Sequence, residues 1–218
     1  MNNIAIEEFP NGVKICQNSD GYKFTKDAVD LAKFCKIKHT DYVLEMCAGS
    51  GVVSFYAYAI TKFARLYLNE IQDDACDIIR KNIIFNNLCN DAKCLPGNLK
   101  DLQLKNFEKK LDVIICNPPY FKKSTQKINV DYKKAISRHE LEATLEDIVK
   151  KASELIKDKG RFYLVMTISR MSETIYLLEK YGFACKIIKL LTNGKKEAYL
   201  AIFEAVYNGK TGVKVIIE

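Results

Sequence analysis

No two of the eight cysteines, at positions 16, 35, 47, 76, 89, 94, 116 and 185, form a Cys-x-x-Cys pair. Cys89 and Cys94 come nearest to a metal knuckle, but no second pair and no neighbouring histidine completes a set of four ligands, which argues against zinc. Scattered free thiols are instead the expectation for a reducing compartment. No apolar stretch is long enough to cross a bilayer, so no membrane association is expected. Residues 1–10 carry Glu7 and Glu8 and lack a basic flank followed by a hydrophobic segment, so no secretory signal is visible and a cytoplasmic location is the default. Internal repeats, low-complexity tracts and linkers are also missing. The 218 residues are therefore expected to form a single domain, residues 1–218, with the oligomeric state left open and a monomer as the default.

What is present is a globular composition, 48% hydrophobic and 28% charged, with a formal charge of +7 carried mostly by lysine. A modest basic excess favours an anionic partner. Ile4 to Phe9 and Val13 to Gln17 flank Pro10-Asn11-Gly12 and read as a small N-terminal hairpin within an extension over residues 1–24. Thr25 can cap a helix whose apolar positions Ala28, Leu31, Ala32 and Cys35 recur at helical spacing. Tyr22 and Phe24 either pack the start of that helix or face a ligand. Strands and helices then alternate. The strands are Tyr42 to Met46, Arg65 to Leu68, Ala92 to Leu95, Leu111 to Cys116 and Arg161 to Thr167. The helices are Val52 to Ile60, Asp73 to Asn87, Glu140 to Lys157, ended by Gly160, and Met171 to Tyr181. Phe183 to Leu191 and Glu197 to Val206 surround Thr192-Asn193-Gly194-Lys195, which predicts an antiparallel hairpin on an otherwise parallel sheet. Val213 to Ile216 can add a short terminal strand. This alternation is an α/β sandwich.

Chemistry concentrates at the ends of the strands. Gly49 and Gly51 follow the first of them and allow a tight turn and a close backbone approach to a ligand. Ser54 stands where a dinucleotide fingerprint needs its third glycine, so a nicotinamide cofactor is disfavoured. Glu45 is an acid at the end of an apolar strand, costly to bury unless it meets a cation or several donors. A ligand ammonium would satisfy it. Glu70 closes the next strand at about the interval where an acid meets a ribose diol. Asn98 follows the third strand in Pro96-Gly97-Asn98, where turn chemistry and contact with an adenine edge both fit. The fourth strand stops at Asn117-Pro118-Pro119-Tyr120, where two prolines end the ladder and present carbonyl oxygens beside an amide and a ring. Beyond it, residues 121–139 form a basic loop. Lys122, Lys123, Lys127, Lys133, Lys134 and Arg138 are set there against the single acid Asp131, with Tyr132 among them. Such a run is either a solvated face or a grip on nucleic-acid phosphates.

Taken together, Glu45, Gly49-x-Gly51, Glu70 and Asn117-Pro118-Pro119-Tyr120 resemble class I methyltransferases that use S-adenosylmethionine to methylate a planar amino group. The four-residue motif is similar to the signature of adenine-N6 and glutamine-N5 methyltransferases. Gly21-Tyr22-Lys23-Phe24-Thr25-Lys26-Asp27 and Ser137-Arg138-His139-Glu140 extend the likeness to the bacterial tRNA1(Val) (adenine-37-N6)-methyltransferases over nearly the whole chain. The resemblance implies a Rossmann-like class I methyltransferase sandwich. Its sheet is mostly parallel and seven-stranded, with a C-terminal antiparallel hairpin and the small N-terminal hairpin. The implied cofactor is S-adenosylmethionine, held by Phe24, Thr25, Glu45, Gly49, Gly51, Glu70 and Asn98. The implied partner is tRNA, gripped by the basic loop and methylated at an adenine held by Asn117, Pro118, Pro119 and Tyr120. Direct methyl transfer needs no strong base, so a structural role is expected for His139 beside Glu140. Two departures stand out: Cys47 replaces a glycine of the usual loop, and Asn98 replaces an aspartate. Two other readings remain. One is a glutamine-N5 methyltransferase acting on release factors, whose usual N-terminal helical domain has no counterpart in the forty or so residues before the first strand. The other is a non-catalytic RNA-binding module that retains the fold.

Overall fold

The computed structural model describes residues 4–9, 12–18, 26–118, 143–192, 194 and 196–217. The chain opens with the expected hairpin. β1 (Ile4–Glu8) pairs antiparallel with β2 (Lys14–Asn18), with Glu8 opposite Lys14. The bend is closed by the Gly12 N–H donating to the Phe9 carbonyl at 2.8 Å, while Pro10 and Asn11 lie outside the described residues. Helix α1 (Lys26–Phe34) buries Ala28, Leu31 and Ala32 on one face, as the spacing predicts, and its expected cap Thr25 is also outside the described residues.

The main sheet contains β3 (Tyr42–Met46), β4 (Arg65–Glu70), β5 (Ala92–Pro96), β6 (Leu111–Cys116), β7 (Ile156–Thr167), β8 (Phe183–Leu191), β9 (Leu200–Tyr207) and β10 (Lys214–Ile217). Their spatial order is β10-β8-β9-β7-β6-β3-β4-β5. Strand β9 is antiparallel to both β7 and β8, and every other pairing in this sheet is parallel. The expected seven strands are joined by the short terminal strand that Val213 to Ile216 can add. β10 follows the hairpin and pairs parallel with the free edge of β8, Lys214 opposite Ile187.

The helices are α2 (Val52–Ile60), α3 (Asp73–Phe85), α4 (Leu145–Leu155) and α5 (Met171–Lys180). Right-handed crossovers place α2 and α3 on one face of the sheet. Because the chain reverses its direction of travel at β3, α4 and α5 fall on the other. Covered on both sides, β6 buries every residue from Leu111 to Cys116, which explains its mostly apolar reading; the one interruption, Asp112, accepts the Tyr42 N–H at 2.8 Å and pairs with Lys109 and Lys157. Each such aliphatic side chain contributes about 1.5–3 kcal/mol of transfer free energy.

Helix α4 differs from its expected bounds. It starts after Thr144, whose Oγ1 accepts from the Asp147 N–H at 3.1 Å while the Asp147 carboxylate accepts the Thr144 N–H at 2.9 Å. It ends at Leu155, two residues short of the expected Lys157, because Ile156 turns extended and pairs with Leu111. The pairing register then shifts and resumes at Arg161 opposite Val113, and between the two pairings Lys159 takes left-handed backbone at φ +56°. Gly160 has a different duty: a Cβ there would lie 2.5 Å from the Ile156 side chain.

Candidate active site

Strands β3, β4 and β5 progress one way across the sheet, and β6 lies on the opposite side of β3. The carboxyl ends of β3 and β6 therefore border the switch point, where ligands bind in open α/β sheets. Register aligns the candidate residues. Met46 pairs with both Cys116 and Asn69, and Asn69 pairs with Leu95, so these four residues form one row across β6, β3, β4 and β5. One step beyond that row stand Asn117, Cys47, Glu70 and Pro96. Adjacent strands being about 4.8 Å apart, Asn117 and the first residue of the glycine loop leave the sheet side by side.

The glycine loop winds through left-handed backbone at Cys47 (φ +56°), Gly49 (φ +56°) and Gly51 (φ +78°). At Gly51 a Cβ would sit 2.6 Å from the side chains of both Leu68 and Phe55, so this position excludes any side chain. At Gly49 a Cβ would meet nothing within 4 Å, and the loop backbone there faces open space. Three neighbours hold the loop. The Ala48 N–H donates to the Asn69 carbonyl at 3.0 Å, the Gly49 N–H to Glu70 Oε2 at 2.8 Å, and the Ser50 carbonyl accepts from Asn82 Nδ2 at 2.9 Å.

Both acids are buried, Glu45 to 1% exposure and Glu70 to 2%. Glu70 is braced against backbone. Besides Gly49, it accepts the N–H groups of Ile71 at 2.9 Å and Gln72 at 3.0 Å on Oε1, leaving Oε2, among the described residues, with the one bond from the loop. A carboxylate oxygen can accept twice, so Oε2 retains capacity for a hydroxyl donor. Glu45 accepts the Ser54 N–H at 3.0 Å and thereby meets the first turn of α2. Burial pushes its carboxyl up to about 8, hydrogen bonding from Ser54 offsets only part of this, and the charge of Glu70 reinforces it. A cation brought beside Glu45 would restore its charged form.

Asn98 begins a 3-10 turn (Leu99–Asp101), its Oδ1 accepting the Lys100 N–H at 3.0 Å, so the turn chemistry is realised. The segment before it is pinned by Asn69, whose Nδ2 donates to the Leu95 carbonyl at 3.0 Å and the Gly97 carbonyl at 2.9 Å. On the far side of the switch point Pro118 is buried and Asn117 is half-buried. The Asn117 Oδ1 is itself buried with no hydrogen-bond partner among the described residues. A buried acceptor left unmatched costs about 1–3 kcal/mol, which a ligand N–H would recover. Behind it, burial first, and then the neighbouring Cys47 thiol with the charges of Glu45 and Glu70, pushes the Cys116 thiol well above its ordinary range, so it is held neutral.

The structure thus brings Glu45, Gly49, Gly51, Glu70, Asn98, Asn117 and Pro118 to one edge of the sheet. Phe24, Thr25, Pro119, Tyr120, Lys122, Lys123, Lys127, Lys133, Lys134, Arg138 and His139 lie outside the described residues. Asn69 and Asn82 were not singled out by sequence reasoning. Their signal was there, a polar residue inside an apolar strand and another on the apolar face formed by Cys76, Ile79 and Ile83. Among the described residues no helix is long and apolar enough to cross a membrane.

Residues 24–189 match the family model of the methyltransferase small domain. A tRNA1(Val) (adenine(37)-N6)-methyltransferase of Shewanella frigidimarina is 26% identical over 196 residues, covering 88% of this chain and 77% of that protein. A release factor glutamine methyltransferase of Mycoplasma mycoides is 27% identical over 142 residues, covering 62% of this chain and 50% of that protein. The crystal structure of M. jannaschii TYW2 in complex with AdoMet superposes with a TM-score of 0.64 at 16% identity, over 94% of this chain and 86% of that one, a likeness of fold.

Proposed function

Because the chain belongs to the methyltransferase small domain family, has the class I methyltransferase fold and uses S-adenosylmethionine, we propose that it methylates the exocyclic N6 amine of an adenine in tRNA, adenine 37 of tRNA1(Val) being the foremost candidate. The observation that carries the reading is the buried Asn117 Oδ1, which has no partner among the described residues and stands level with the glycine loop across the switch point. An acceptor in that position is waiting for an N–H donor.

The amine of adenine is a weak nucleophile because its lone pair is delocalised into the ring. Asn117 Oδ1 and the Pro118 carbonyl would each accept one of its hydrogens and turn the lone pair out of the ring plane. Bound S-adenosylmethionine supplies an electrophilic methyl group. Three of the residues expected to hold this cofactor suit it: Gly49 offers backbone open to close approach, Glu70 Oε2 has room for a ribose hydroxyl, and Glu45 offers its carboxylate to an ammonium. Tyr120 is assigned to stack on the base, a contact worth about 1–3 kcal/mol in nucleic-acid sites. The lysines of residues 121–139 are assigned to the phosphates, and a loop nucleotide is cheaper to splay out than a paired one. The remaining catalysis is positioning and electrostatics, without a general base.

A glutamine side-chain amide also presents a conjugated NH2, and the Mycoplasma mycoides relative supports that second reading over a shorter stretch. The test runs both acceptors in parallel. The protein is incubated with methyl-labelled S-adenosylmethionine and either unmodified tRNA or a release factor, and the products are digested. Label in N6-methyladenosine is expected. Label only in the release factor transfers the assignment to glutamine, and no label in RNA refutes the tRNA reading.

A further inference from the structure

Asn82 is fully buried on α3, and both its amide oxygen and its amide nitrogen are engaged. Its Oδ1 accepts the Cys16 N–H at 2.7 Å, and its Nδ2 donates both to the Cys16 carbonyl at 3.2 Å and to the Ser50 carbonyl at 2.9 Å. One turn further along, Asn86 makes the equivalent pair of bonds to Lys14, and its Nδ2 donates at 2.8 Å to the Asn82 carbonyl instead of to the loop. Its Oδ1 accepts the Lys14 N–H at 3.0 Å and its Nδ2 donates to the Lys14 carbonyl at 2.8 Å. Lys14 and Cys16 are alternate residues on the edge of β2 that faces away from β1. Four residues of helix rise about 6 Å and two residues of strand span about 6.8 Å. The two asparagines therefore stand in for a third strand of the N-terminal hairpin. Docking the hairpin needs only what Asn86 provides. The additional bond of Asn82 reaches the residue between Gly49 and Gly51.

We propose that Asn82 is a positioning residue for the cofactor loop, coupling the docking of the N-terminal hairpin to the conformation of Cys47–Gly51. One Nδ2 serves both carbonyls, so its orientation is set jointly by the hairpin and the loop. Lifting the hairpin removes two of the three bonds that aim the amide, and the Ser50 carbonyl loses a fixed partner. Linkage is reciprocal: a cofactor that favours the ordered loop also favours the docked hairpin. This role does not depend on which amine receives the methyl group.

The test compares wild type, Asn82→Ser and Asn86→Ser in calorimetric titrations with S-adenosylmethionine and in hydrogen exchange of the β2 amides with and without it. Asn82→Ser should weaken cofactor binding about tenfold or more and abolish the cofactor's slowing of exchange at Lys14 and Cys16. Asn86→Ser should speed exchange at Lys14 yet leave the affinity within about threefold. Equal losses of affinity in the two variants, or an Asn82→Ser protein that binds as wild type does, would overturn the proposal. If Asn82→Ser fails to fold, the wild-type exchange decides by itself, since β2 amides indifferent to the cofactor would also overturn it.

Discussion

Replacing Glu45 with glutamine should remove a pH dependence of stability that the buried carboxyl imposes on the cofactor-free protein. Burial, only partly offset by Ser54 and reinforced by Glu70, moves this group from 4.5 up to about 8. Between those values the folded chain keeps a proton that the unfolded chain has released. The folded state then binds the more protons, so stability falls as pH rises through the window and levels off above it. At about 1.4 kcal/mol per pH unit the shift sets a total on the order of 5 kcal/mol, a large part of a typical domain's stability. Glutamine has no such proton, and its oxygen can still accept from Ser54. Urea unfolding of both proteins is measured at several values between about pH 5 and 8. The variant should gain on the wild type by roughly 1.4 kcal/mol for each unit of rising pH. Parallel stability curves would show that Glu45 is charged in the folded state, and the account of its burial would be wrong.

Cys47 occupies left-handed backbone at φ +56°, so Cys47→Gly should stabilise the protein by about 0.5–1 kcal/mol, strain relief exceeding the added chain entropy; a urea midpoint that falls contradicts this. Asn117→Ala should abolish methyl transfer while cofactor affinity stays within about threefold by titration calorimetry, since the orphaned oxygen is assigned to the acceptor amine rather than to the cofactor. Loss of cofactor binding in that variant breaks the division of labour. Neutralising Lys122, Lys123, Lys133 and Lys134 together should weaken tRNA binding and lower the slope of log affinity against log salt by up to about 3. An unchanged slope returns these lysines to a solvated face.

The strands of the site were legible because their signals are local. Leu111 to Cys116 is apolar except for Asp112 because both faces are covered, and the prolines that follow remove the donors a strand needs. Residues whose spacing encodes a helix face, such as Leu145, Ile148, Val149 and Ala152, were likewise readable, but the end of that helix was not. Gly160 looked like a terminator, whereas Ile156 had already been captured by Leu111 on another strand. Nothing within a few residues of Ile156 announces that pairing.

By itself the sequence determined the alternation of elements and which side chains stand at the strand ends, because periodicity, glycine and proline act within a few residues of chain. It also carried the motif whose amide and carbonyls suit a planar amine. Tertiary structure decided how those ends meet. Register set Asn117 level with Cys47, burial raised Glu45 and enclosed Glu70 in three backbone donors, and the edge of β8 recruited β10. It also turned Asn69 and Asn82 from polar interruptions into the fasteners of the loop, through hydrogen bonds to residues 26 to 66 positions away. Such bonds depend on where the folded backbone brings a carbonyl, and that is a property of the whole sheet rather than of any stretch of it.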